Sequence, residues 1–200
     1  MAKDPVMGRV KTRLAREVGA AEAVRFYRAT AAAVIGRLAR DPRFETVLAV
    51  APDRRMASRG LPAGLRRRAQ GGGDLGQRMQ RLLADNPPGP VVIIGTDIPG
   101  IRARHIVDAF RCLGRHDAVF GPAGDGGFWL VGLRRFPRLP PCFAGVRWSS
   151  PDTLADCLAN FDGHPVAFAA QLSDCDNASD LGRLASLIGR RILPEAANAH

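Results

Sequence analysis

The chain has 200 residues, 46% hydrophobic and 24% charged, which is the composition and length of one globular domain and excludes a disordered or collagen-like chain. Its longest aliphatic run, Val91 to Ile94, is too short to span a bilayer, and no charged start followed by an apolar stretch marks a secretory signal, so a soluble cytoplasmic protein is expected. The net charge of +10 suits nucleic acid, a membrane surface or a phosphorylated ligand, but of 29 basic residues only Lys3 and Lys11 are lysine, a ratio that arginine-rich codon usage produces without building a binding face.

The first residues, MAKDPVMGRVKTRL, read as a loop entering a helix. Residues 20–40 are alanine-rich, with Val24, Tyr27, Ala31, Val34, Ile35 and Leu38 at three-to-four spacing, and predict a helix. Thr46 to Ala51 is a β-rich run closed by Pro52, hence a strand. Arg66-Arg67-Arg68 has no aromatic neighbours on which bases could stack and reads as a solvated basic loop. Asp74 to Leu83 repeats apolar residues at Leu75, Met79, Leu82 and Leu83 and predicts a helix capped by Asp74. Val91 to Ile94 lacks polar alternation, which predicts a strand covered on both faces, as in a parallel sheet.

A helix over Arg102 to Leu113 and strands over Ala118 to Phe120 and Phe128 to Val131 come next. Ser149-Ser150-Pro151 predicts entry to a helix through Leu158, Val166 to Phe168 a last strand, and Asn177 to Asp180 a capping box for a helix to about Arg190. The tail 194–200 is expected to fray. Strands separated by helices predict the α/β class, with a mostly parallel sheet sandwiched between helices in a single domain over 1–200. The sequence shows no opening strand ahead of the first loop. We expect that strand to lie upstream of Met1; the alternative is a sheet that lacks it.

In such sheets ligands bind outside the carboxyl ends of the strands. There, Gly8, Lys11 and Arg13 combine a glycine with two cations around a helix start, a candidate phosphate cradle; the alternative is a basic helix end in water. GxxxxGK[ST] is absent, which argues against a P-loop NTPase. Gly71, Gly72 and Gly73 before Asp74 offer backbone against which a base or sugar could lie, or else a turn with a capping aspartate. Asp97, at the tip of the strand ending at Ile94, is placed to hold Mg²⁺ or Mn²⁺ against a diphosphate; the alternative is an Asx turn ahead of Pro99.

Asp125, in the glycine-dense run Gly121 to Gly127, suits a base or an acceptor of hydroxyl hydrogen bonds, with close approach of the glycines to substrate. A hairpin turn is the alternative. Asp174 and Asp176 could add a second carboxylate to the metal site, or form an acidic loop. Cys112, Cys142, Cys157 and Cys175 have no C-x-x-C spacing and do not cluster with His105, His116, His164 or His200, so ordinary thiols are expected.

The ordered set GRVKTRL, GGGDLGQRM, VVIIGTDIPG, GPAGDGGFWLVG, WSSPDTL and SDCDNASDL resembles, over nearly the whole chain, a bacterial transferase family of GT-A type. That family is related to the nucleotide-diphospho-sugar transferases and linked by name to radical-SAM/selenodomain-associated transferases and arsenosugar-biosynthesis glycosyltransferases. The resemblance implies a three-layer α/β/α fold. It implies that Lys11 and Arg13 hold nucleotide phosphates, that Asp97 is the metal-binding carboxylate, and that Asp176 is a second ligand, in a D-x-D where Asn177 replaces the usual threonine. The apolar run that such proteins carry ahead of AK-x-P is missing.

The function implied is metal-dependent transfer of a glycosyl group from a nucleoside diphosphate sugar to a small acceptor, with Mg²⁺ or Mn²⁺, Lys11 and Arg13 stabilising the leaving diphosphate. A guanylyltransferase-like nucleotidyl transfer to a phosphorylated acceptor, releasing pyrophosphate, is the alternative on the same fold. An arginine-rich nucleic-acid-binding module is the alternative of another class. The loop aspartates and the lack of interleaved aromatics speak against it, so neither nucleic acid nor membrane is expected as a partner.

Overall fold

The computed structural model describes residues 1–135 and 141–173. In chain order the elements are β1 (Ala2–Lys3), α1 (Thr12–Val18), α2 (Ala20–Leu38), β2 (Leu48–Ala51), β3 (Arg67–Ala69), α3 (Leu75–Ala84), β4 (Val91–Ile94), α4 (Ala103–Cys112), β5 (Ala118–Pro122), β6 (Phe128–Leu133), α5 (Thr153–Ala159) and β7 (Val166–Phe168). The residues expected to form the final helix and the frayed tail, and with them Asp174, Cys175 and Asp176, lie outside the described residues.

Local chemistry accounts for the helices. The apolar stripe of α2 buries Phe26, Tyr27, Ala31, Val34, Ile35 and Leu38, the spacing that places residues on one helical face. Helix α3 opens on a reciprocal capping box: the Asp74 carboxylate accepts from the Gln77 N–H at 2.8 Å, and the Gln77 side-chain carbonyl accepts from the Asp74 N–H at 3.1 Å. Helix α5 starts later than Ser149 suggests, because residues 149–152 make a turn first. There Ser150 Oγ accepts from the Asp152 N–H at 3.2 Å, and the Thr153 hydroxyl donates to Arg147 O at 2.7 Å.

Strand alternation then sets the layers. Val119 and Leu130 pack with Val34 and Leu38 of α2 and Ile106 and Ala109 of α4. Phe120, Val131 and Leu133 turn to the opposite face, against Met79 and Leu83 of α3 and Cys157 of α5. The period of two in the strands therefore separates one helical layer from the other, and the α/β/α sandwich follows. One sheet has the order β1-β2-β3 and is parallel throughout; the other runs β4-β6-β5-β7. Three of the five strand pairings are parallel, and β6 is the reversed strand among those described.

Four expectations are corrected in detail. The opening strand exists, but only as the two residues of β1, in register with Val50 and Ala51. Arg67 and Arg68 are not a solvated loop but part of β3, paired with Leu48 and Ala49. The Arg67 guanidinium reaches the carbonyls of Met56, Ser58, Leu61 and Pro62 at 2.6–3.1 Å, so tertiary hydrogen bonds outweigh its polarity. Strand β4 is antiparallel to β6 and half-buried, not a fully covered parallel strand. Finally, β5 and β6 form a hairpin in which Gly126, at φ +83°, sits against the Pro151 carbonyl where a Cβ could not. The close approach there is to the chain itself.

Among the described residues Cys112, Cys142 and Cys157 form no disulfide; burial pushes Cys142 and Cys157 up to about 12, which leaves both protonated. No helix of the described residues is long and apolar enough to cross a membrane.

Candidate active site

The loop leaving β1 is pinned at its root. Asp4 is 3% exposed; its N–H donates to Ala51 O at 2.8 Å, and its carboxylate accepts from Arg55 Nε at 2.6 Å and from the Ser58 hydroxyl. From that root the chain runs to Lys11, the residue preceding α1, whose φ of 46° and ψ of 47° are left-handed. For a side chain with a Cβ that conformation costs about 1–2 kcal/mol, and such outliers gather where a group must be aimed.

What the turn aims is an ammonium. The Lys11 side chain is only 4% exposed, and its Nζ lies 3.3 Å from Oδ2 of Asp97, whose side chain is 38% exposed. Asp97 follows β4 through Gly95 and Thr96, so the loops after two different strands bring one cation and one anion together. Tyr27 of α2 stands behind them: its hydroxyl accepts the Lys3 N–H at 2.8 Å and donates to Lys3 O at 3.0 Å. Burial raises its pKa above the ordinary value, and the negative charge of Asp97 acts in the same direction.

These groups open on a cleft of about 410 Å³ lined by Lys11, Asp97, Asp125, Phe128, Trp148 and Ser150, among others. Asp125 enters from the β5–β6 hairpin, where its Oδ1 accepts the Gly127 N–H at 3.0 Å. The hairpin is docked on the far wall through Leu154 N–H to Gly126 O at 3.0 Å. Phe128 and Phe143 flank Trp148 at ring distances of 6.4 and 6.0 Å, giving the wall opposite the ion pair an aromatic body.

The structure thus unites Lys11, Asp97 and Asp125 around one cleft. Gly8, Arg13, Gly72 and Asp74 are exposed and lie outside its lining, and Asp176 lies outside the described residues. The glycine run before α3 is held by the protein itself: Arg81 donates to Gln70 O and Gly72 O at 2.8 and 3.2 Å, and Arg78 donates to Gly73 O at 2.9 Å. Among the described residues no three His, Cys, Asp or Glu side chains gather as a metal cage. Asp97 offers one carboxylate, a number that suits a hard cation completed by phosphate oxygens and water.

Tyr27, Gln70 and Trp148 were not singled out from the sequence as site residues. Tyr27 is the only tyrosine of the chain and falls on an apolar helical stripe, where a hydroxyl must find a buried partner; that was the available signal. Gln70 is buried, donating to Ala2 O at 3.1 Å and Ala49 O at 2.9 Å, and it ties β1 to β2 beneath the cleft.

A family described as "Uncharacterized protein conserved in bacteria (DUF2064)" matches residues 32–150. The chain belongs to that family. Its structure is similar to a "putative nucleotide-diphospho-sugar transferase" from Desulfovibrio desulfuricans G20, at 26% identity over 93% of each chain and a TM-score of 0.79. A homolog of Mycobacterium tuberculosis rv0371c from Mycobacterium sp. strain JC1 matches at 18% identity over 80% of this chain and 83% of that one, with a TM-score of 0.49. No curated protein matches the chain. The α/β/α fold expected from the six ordered motifs is therefore shown, together with membership of the wider nucleotide-diphospho-sugar transferase superfamily.

Proposed function

We propose that this DUF2064 protein is a transferase that takes a nucleoside diphosphate sugar and moves its glycosyl group to the hydroxyl of a small acceptor. The observation that carries this reading is the Lys11–Asp97 pair, 3.3 Å apart at the ends of two strands, in a fold like that of the Desulfovibrio protein. The finer placement, with the radical-SAM/selenodomain-associated and arsenosugar-biosynthesis types, rests on the order of the six motifs and belongs to the same proposal.

In this reading a diphosphate competes for the Lys11 ammonium, which takes up negative charge developing on the leaving group. Release from that ammonium turns the Asp97 carboxylate toward a cation. Mg²⁺ or Mn²⁺ held by Asp97 and the diphosphate oxygens would supply further charge neutralisation; the second ligand assigned by resemblance to Asp176 is part of the proposal. The acceptor oxygen bonds to the anomeric carbon as the carbon–oxygen bond to the β-phosphate breaks. The electron pair leaves with the nucleoside diphosphate, and the acceptor proton passes to Asp125. Trp148 and Phe128 provide an apolar face for a sugar or acceptor ring.

A thermal-shift panel of sugar nucleotides and nucleoside triphosphates with Mn²⁺ or Mg²⁺, followed by product analysis, tests this. Binding to the native state alone raises Tm by mass action. The expected result is a shift with a sugar nucleotide, release of nucleoside diphosphate, and loss of turnover in folded Asp97→Ala. Pyrophosphate release from a triphosphate would assign nucleotidyl transfer instead, and near wild-type activity in Asp97→Ala would refute the role given to that carboxylate.

A further inference from the structure

Of the 29 basic residues only Lys3 and Lys11 are lysine. Both line the cleft that holds the ion pair, whereas no arginine among the described residues does. Arginine-rich codon usage supplies arginine wherever either cation serves, so a cleft that carries the two lysines and no arginine is one where a guanidinium does not serve. The two groups differ in shape rather than in charge. A guanidinium is a planar fork of fixed geometry, while an ammonium is a compact point charge on a flexible stem, with three donors that rotate.

The two lysines are set differently. Lys11 is desolvated and already paired with Asp97. Lys3 closes β1, where the alternation of a strand buries Ala2 and exposes Lys3. Its backbone is held on both sides. The Tyr27 hydroxyl accepts its N–H at 2.8 Å and donates to its carbonyl at 3.0 Å, and the residue stands in register with Ala51 of β2. The same hydroxyl is hydrogen-bonded to the side chain of Thr96, the neighbour of Asp97, so the end of β1 and the Asp97 loop share one support. Lys3 therefore has a fixed backbone at the mouth of the cleft and an exposed, flexible side chain that can close on an anion beside Lys11.

We propose that Lys3 is a second diphosphate-binding residue of this cleft, clamping the donor together with Lys11 from the end of β1; the inference rests on reading the cleft as a nucleotide-sugar site. Arg13, to which the resemblance gives the second phosphate contact, lies on α1 outside the cleft lining. The two lysines divide the work. Lys11, buried against Asp97, meets the charge that develops as the bond breaks. Lys3, exposed, captures the diphosphate in the ground state, so its loss appears in KM rather than in kcat. An arginine at position 3 engages two oxygens at once in a parallel fork and leaves fewer of them for Lys11.

Isothermal titration of the full chain with inorganic pyrophosphate, a probe that needs neither base nor sugar, tests the clamp. Lys3→Gln is expected to weaken binding about tenfold, the scale of one hydrogen bond to a charged group, and Lys3→Arg to leave it at least about threefold weaker than wild type. Arg28→Gln removes the same charge from the exposed face of α2, away from the cleft, and at physiological ionic strength should change Kd by less than about twofold. The Tyr27 bonds are made by the Lys3 backbone, so all three variants should melt within about 2 °C of wild type. In turnover, Lys3→Gln should raise the sugar-nucleotide KM about tenfold with kcat within about twofold. Equal weakening by Lys3→Gln and Arg28→Gln reduces Lys3 to net charge and overturns the proposal, as does wild-type affinity in Lys3→Arg. A wild-type chain that binds neither pyrophosphate nor any nucleoside diphosphate overturns the nucleotide-sugar reading of the cleft itself, and this inference with it.

Discussion

Met1, Ile93, Ile94 and Thr96 line two of the clefts among the described residues, yet these two differ in kind. The one at the carboxyl ends of β1 and β4 is the smaller, about 410 Å³ against about 710 Å³, and it carries the left-handed lysine, the ion pair and the hairpin aspartate. The larger of the two is lined mainly by apolar side chains, with Arg43, Glu45 and Arg111 among its few charged ones. Volume alone therefore does not mark the chemistry. Polar groups from separate loops converging in a cleft mark a site, while a slot lined mainly by aliphatic side chains, however large, does not by itself.

The sharpest way to break this contrast is to remove charge from the smaller cleft. Asp97→Asn and Lys11→Gly are each expected to lower kcat/KM for the proposed transfer by about 10²–10³, the usual effect of losing one electrostatic contact to developing charge. Asp97 is more than a third exposed, so Tm should stay within a few degrees of wild type. Glycine accepts the left-handed turn at position 11 without strain, so Lys11→Ala should be about 1 kcal/mol less stable than Lys11→Gly at equal loss of rate. Rates that do not fall would move the chemistry out of this cleft.

Acid probes the other cleft. Burial lowers the Met1 ammonium from its ordinary 8.0 to about 6, against the opposing pull of Asp97. The unfolded chain then binds more protons than the folded one between pH 6 and pH 8. Stability is unpenalised above pH 8, falls as pH drops through that window, and levels off below pH 6. The full cost is at most about 3 kcal/mol, since each pKa unit corresponds to 1.36 kcal/mol. Burial also lowers His105 below its ordinary value, adding a slope of the same sign. Denaturant midpoints at pH 6 and 8, with and without N-terminal acetylation, isolate the Met1 share: acetylation should flatten the curve by that amount and leave the histidine part.

At the outer edge of the same sheet the arginine run gives a smaller effect. Arg67→Ala is expected to cost about 2–3 kcal/mol, because four carbonyls lose a charged donor. Arg66, whose partner Glu45 lies at 3.2 Å with both side chains exposed, should cost less than about 0.5 kcal/mol on replacement by alanine. Equal losses would mean that β3 is held by something other than those carbonyl bonds.

What the sequence made legible was local. Helix α2 is written in its own spacing and α3 in its own cap, and Asp97 and Lys11 sit where a strand or helix ends. The direction of β4 was not legible, because it depends on β6 returning through the hairpin at Gly126, and that glycine run reads equally well as a ligand loop. Nor was β3: Arg67–Ala69 has no apolar pattern, and its strand geometry comes from pairing with β2. Tyr27 looked like one more core position, since nothing local reveals that its hydroxyl faces Lys3.

Helix α3 links the two regions, with Leu75 and Met79 facing the smaller cleft and Leu82 the larger. Its cap therefore separates stability from chemistry. Asp74→Ala removes the acceptor for the Gln77 N–H and should cost about 1 kcal/mol, with Asp74→Ser recovering most of it. Asp74 is exposed beyond the cleft, so kcat/KM should change by less than about twofold, well below the loss of a contact to the reacting groups. Should Asp74→Ser regain stability while turnover stays down by tenfold or more, the aspartate touches the donor. The site would then extend past Gln70 into the glycine run that Arg78 and Arg81 now hold in place.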